Sequence, residues 1–90
     1  MTAMPDIVMY STGFCPYCVR ARMLLEHKGV SYTDIRVDLD PGLRLEMVQR
    51  SGGRTSVPQI FIGKTHVGGC DDMYALEQQG QLDALLGIPG

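Results

Sequence analysis

The sequence has no surplus of basic charge: eight Lys and Arg face ten Asp and Glu, a formal charge of -2 with a pI near 5.5. A chain without a basic surface cannot hold phosphate backbones by releasing their counterions, so no nucleic acid partner is expected. No apolar run is long enough to span a membrane, and the opening MTAMPDIVMYS lacks the positive segment of a secretory signal. A cytoplasmic location and no membrane partner are therefore expected. Repeats, low-complexity tracts and linkers are also missing, and 90 residues leave room for one hydrophobic core, which predicts a single domain over residues 1–90. With 44% hydrophobic and 20% charged residues, the composition is that of a chain that folds rather than one that stays disordered.

Cysteine is scarce too. Three residues, an odd number, are too few for a secreted disulfide framework, and in a reducing compartment a close cysteine pair is either metal-binding or catalytic. Cys15 and Cys18, in STGFCPYCVR, form the one close pair. A structural zinc site wants about four ligands, as a rule from two pairs. Cys70 with His27 or His66 could complete the number, but neither combination makes a second close pair, so no metal is expected. Two buried apolar thiols on a helix would be the plainest reading, and the surrounding pattern speaks against it.

Asp6–Ser11 is a β-rich run bounded by Pro5 and by Thr12-Gly13, which predicts a buried strand. Pro16 suits the first position of a helix, where a missing N–H costs nothing, and good helix formers run from there to Lys28, with Gly29 as the stop and His27 and Lys28 suited to the last turn. In SYTDIRVDLD, Ile35, Val37 and Leu39 alternate with Asp34, Arg36 and Asp38, the period of an outer strand with one wet face. Asp40-Pro41 starts a second helix whose core stripe is Leu43, Met47 and Val48, ending at Gly52-Gly53. QIFIG and THVGG read as a hairpin around Gly63-Lys64, with His66 at the surface of the return strand. Two short helices separated at Gly80 follow, Asp71 and Asp72 opening the first, and the final GIPG is expected to be loose.

The order β-α-β-α-β-β-α, with a right-handed and therefore parallel first crossover, predicts an α/β fold: a mixed four-stranded sheet flanked by helices. A Cys-x-x-Cys near a βαβ unit in that layout reads as a thioredoxin-like redox motif. Positions i and i+3 share a helix face, so the two sulfurs can meet and close a disulfide. Cys15 stands at the helix entrance, where unpaired N–H groups and the positive dipole end stabilise a thiolate, so it is the expected nucleophile. Cys18, one turn deeper, is the expected resolving thiol. Pro16 stiffens the turn and Tyr17 offers an aromatic wall.

CPYC ahead of a helix, then SVPQIFI, then GGCDD, in this order and spacing, closely resembles the dithiol glutaredoxins, in particular the small bacterial type, from about Ile7 to Leu86. Each motif alone is common; the three together are specific. The resemblance implies a thioredoxin fold with a cis Pro58 facing the active site. It implies that Val57 pairs its backbone with the cysteinyl part of glutathione like an added strand. Tyr17 and Ser56 would also line the glutathione site, Gly68-Gly69 would allow close approach, and Gly69, Cys70, Asp71 and Asp72 would receive the γ-glutamyl end. Arg44, Arg50 or Arg54 could meet the glycine carboxylate. Cys70, beside the groove, is expected to be partly exposed and open to oxidation, or else a packing residue at a tight turn.

Two departures stand out. Many relatives carry a lysine shortly before the nucleophile, where this chain has Thr12 and no cation, so the thiolate would lean more on backbone N–H groups. Ser56 replaces the usual threonine and keeps its hydroxyl. The implied activity is that of a glutathione-dependent thiol-disulfide oxidoreductase, a monomer with glutathione as co-substrate and glutathionylated or disulfide-bearing proteins as clients. The alternatives are a module that bridges a 2Fe-2S cluster with glutathione, against which Pro16 and Tyr17 speak, and a carrier reduced by thioredoxin reductase, which Val57, Pro58 and Gly69 disfavour.

Overall fold

A computed structural model describes residues 5–88 of the chain. The elements follow the expected order: β1 (Ile7–Ser11), α1 (Pro16–His27), β2 (Thr33–Arg36), α2 (Pro41–Arg50), β3 (Gln59–Ile62), β4 (Thr65–Gly68), α3 (Cys70–Gln78) and α4 (Leu82–Leu86). The strands lie side by side as β2-β1-β3-β4. β1 and β2 are parallel, with Tyr10 opposite Ile35, as a helical crossover requires. β3 runs antiparallel to both β1 and β4, the latter through the turn at Gly63, whose φ of 58° is one that glycine tolerates.

The inner position of β1 explains why its residues are buried on both faces. Ile7 and Met9 join Ala21, Leu24 and Leu25 of α1, Met73 of α3 and Leu82 and Leu86 of α4 in one core. On the other face Tyr10 and Phe61 pack with Val37 and with Met47 of α2, and Leu43 and Val48 complete the expected stripe. Two layers of helix thus enclose the sheet. Each large apolar side chain sealed in this way contributes about 1.5–3 kcal/mol. Both long helix starts follow the local chemistry: Pro16 and Pro41 occupy first-turn positions, and Asp40 accepts the Gly42 N–H at 2.8 Å.

The alternating segment is shorter as a strand than its pattern predicts. β2 ends at Arg36; Val37 still donates to the Ser11 carbonyl at 2.9 Å and is buried, but Leu39 is 73% exposed. Asp38 takes the chain out of the sheet, gripping the Arg36 guanidinium at 2.8 and 2.7 Å and accepting the Gly13 N–H at 3.2 Å. At the other end, Gly87 caps α4 at φ 77° and Ile88 packs on the core, so the looseness expected of GIPG does not extend to Ile88; Pro89 and Gly90 lie outside the described residues. Among the described residues no helix is long and apolar enough to cross a membrane.

Candidate functional site

The junction of β1 and α1 carries the cysteine pair. Cys15 is the N-cap of α1 in extended conformation, so its sulfur faces the open end of the helix and accepts the Cys18 N–H at 3.4 Å. Its thiol is directed at the Val57 carbonyl, 3.8 Å away. Cys18 is fully buried within the first turn. That burial, with the Cys15 sulfur beside it, pushes the Cys18 thiol up to about 12 against the opposing influence of the Thr12 backbone and Arg22. At neutral pH Cys18 is therefore a thiol, while the half-exposed Cys15 meets solvent; all three cysteines are unbridged. Phe14 is fully exposed and Tyr17 about half exposed, giving the nucleophile an open aromatic rim.

Beside Cys15 lies a cleft of about 350 Å³ built from three segments. Tyr17 forms one wall; Ser56, Val57 and Pro58 come from the loop before β3; Gly69, Cys70, Asp71 and Asp72 come from the start of α3. The structure thus gathers these eight residues expected at the glutathione site into one hollow, with Gly68 outside its lining, and the Val57-Pro58 bond is cis as implied. Gly68 has φ 111°, and a Cβ there would run into the Asp72 carboxylate and stand 2.9 Å from Arg54 Nη1, so this position requires glycine. Asp72 reaches back to accept the Gly69 N–H at 2.8 Å, which fixes the first turn of α3. A larger cleft of about 710 Å³ between the start of β1 and residues 29–33 contains no cysteine, so volume alone does not mark the site.

Of the three candidate arginines, Arg54 alone lines the cleft, 3.4 Å from Asp72. Arg50 instead donates to the Tyr10 hydroxyl at 2.9 Å and lies over the Phe61 ring, while Arg44 donates to the Thr55 carbonyl at 3.3 Å. Of the two readings of Cys70 the structure bears out the packing residue: it is 3% exposed, and burial pushes its thiol up. The surface position expected of His66 is corrected: it is half-buried, stacked on Phe61 with centroids 4.7 Å apart and bonded to Gln59 Oε1 at 2.7 Å. Burial, with Arg54 nearby, holds the imidazole below its usual range. Among the described residues no group of three or more His, Cys, Asp or Glu could hold a metal ion.

Sequence reasoning missed three contributions. A cation does reach the loop before the nucleophile: Arg36 packs on Gly13, neutralised by its two bonds to Asp38. Arg22 Nε donates to Asp34 at 2.8 Å and Nη2 to Ser11 Oγ at 3.0 Å, and the Ser11 hydroxyl bonds Asp34, so α1 is tied to β1 and β2 next to Cys18. Gln59, fully buried, ties the cleft to β4; its polarity inside the apolar run QIFI was the available signal.

Comparison with known proteins agrees with this geometry. The family model described as Glutaredoxin matches residues 7–67. A glutaredoxin of Pseudomonas aeruginosa is 57% identical over 83 residues, 92% of this chain and 98% of that protein. The solution structure of glutaredoxin from Brucella melitensis superposes with a TM-score of 0.82 at 53% identity, covering 94% of this chain and 91% of that one. The crystal structure of a buckwheat glutaredoxin-glutathione complex gives 0.84 at 30% identity, with 92% and 77% covered.

Proposed function

Because this chain belongs to the glutaredoxin family, and is on that ground a thiol-disulfide oxidoreductase, we propose that its reductant is glutathione and its substrates are glutathionylated and disulfide-bearing proteins. The observation that carries the proposal is the cleft: a nucleophilic sulfur at a helix start, next to an extended backbone at Val57 and a helix N-terminus at α3. A tripeptide with two carboxylates, one ammonium and one thiol matches it group for group. Its cysteinyl backbone pairs with Val57, its γ-glutamyl carboxylate meets the N–H groups opening α3, its ammonium meets Asp72 or Asp71, and its glycine carboxylate meets Arg54. A buckwheat relative solved as a glutaredoxin-glutathione complex supports glutathione as the ligand.

The chemistry is two exchanges. The Cys15 thiolate attacks the glutathione sulfur of a mixed disulfide, the client leaves as a thiolate, and Cys15 carries the glutathionyl group. A second glutathione thiolate attacks that group, releasing glutathione disulfide and Cys15. With a protein disulfide, the client is itself bound to Cys15; Cys18 attacks Cys15, its proton passing to the departing client sulfur, and the Cys15–Cys18 disulfide so formed is reduced by two glutathione thiolates in turn, which leave as glutathione disulfide. A buried thiol pushed up to about 12 is silent until a disulfide is presented to it at contact distance. The protein acts as a monomer in the cytoplasm. Cys15→Ser is expected to abolish both reactions, whereas Cys18→Ser keeps deglutathionylation and loses reduction of protein disulfides. Equal loss in the two variants would refute the assigned roles.

A further inference from the structure

Gln59 is the one polar side chain in β3, a strand buried along its whole length. An amide sealed from water costs about 1–3 kcal/mol when unpaired, so its partners report what it does. Nε2 donates to the Ser56 carbonyl at 3.1 Å and to Ser56 Oγ at 3.2 Å. Since the carbonyl can only accept, the amide has one possible orientation, and Oε1 must face His66 at 2.7 Å. His66 Nε2 therefore carries a hydrogen and donates it. The result is a directed chain from β4, through β3, to the wall of the cleft.

We propose that Gln59 and His66 are positioning residues for glutathione, acting by fixing the peptide between Ser56 and Val57. In a trans peptide the C=O and the following N–H point in opposite directions. By holding the Ser56 carbonyl inward, Gln59 turns the Val57 N–H outward, and among the described residues that N–H has no backbone partner. It is the donor an extended occupant needs. The same contact occupies Ser56 Oγ as an acceptor, leaving the hydroxyl hydrogen free to donate into the cleft. Aligned bonds polarise one another, so the imidazole N–H strengthens the grip of the amide on Ser56.

The inference rests on the glutathione reading above, and the test separates the two. His66→Phe keeps an aromatic ring on Phe61 and deletes the donor; His66→Gln restores an N–H donor of similar reach. Gln59→Met removes the centre of the chain at similar volume and serves if His66→Phe does not fold. With a glutathionylated peptide as substrate, His66→Phe and Gln59→Met are expected to raise KM about fivefold with kcat within about twofold, the size of one lost hydrogen bond. His66→Gln should recover most of the loss, and the double variant should be no worse than Gln59→Met. KM unchanged in a folded variant, or KM and kcat impaired together without rescue by His66→Gln, overturns the inference while wild-type turnover still supports glutathione. A wild type that does not turn over the peptide overturns both.

Discussion

Three thiols in one small protein differ because their surroundings do. Cys15 sits at a helix start with a backbone N–H on its sulfur, Cys18 is sealed one turn further in, and Cys70 is closed into the core where α3 begins. Exposure and thiolate character govern reactivity, so a brief treatment with iodoacetamide at neutral pH is expected to label one cysteine fast, Cys15, with Cys18 and Cys70 following only after denaturation. Peptide mass spectrometry reads this directly, and early label on Cys70 would contradict its burial. The cysteine pair was legible because its spacing and helix context are local. The state of Cys70 was not, since a residue at a turn is exposed or buried according to what the distant α1 and β3 place over it.

At the scale of the elements, three charged side chains hold the helices of one face together. Lys28, the C-cap of α1, contacts Glu77 of α3 at 2.8 Å and Asp83 of α4 at 2.7 Å, and its own side chain is only 14% exposed. The bond to Asp83 and then the bond to Glu77 raise the lysine above its ordinary value. A base raised by folding adds stability below its unfolded pKa of about 10.4 and loses it as pH climbs through the higher folded value. The melting temperature is therefore expected to fall above that pH, and Lys28→Met should lower it at neutral pH and flatten the alkaline drop. An unchanged alkaline profile in the variant would dismiss the clamp. Lys28 read in sequence as a helix-end cation, which it is; its partners 49 and 55 residues away leave no local trace. The same holds for β2, whose alternating pattern was right to Val37 and failed at Leu39, because Asp38 answers to Gly13 across the sheet.

For the whole molecule, the strand order β2-β1-β3-β4 brings the end of β1, the loop before β3 and the start of α3 to one edge, and there the cysteine pair meets the cleft. Element order and the motifs CPYC, SVP and GGCDD foretold that meeting, whereas that Arg54 lines the cleft and Arg44 and Arg50 do not required coordinates, since all three follow one another within eleven positions and only side-chain direction separates them. The decisive measurement is turnover of a small glutathione mixed disulfide, coupled to glutathione reductase and NADPH, with and without added glutathione. Turnover that requires glutathione and saturates with the mixed disulfide is the predicted result. A folded, reduced protein that turns over nothing, or that works equally well without glutathione, would contradict the assignment of glutathione as its reductant.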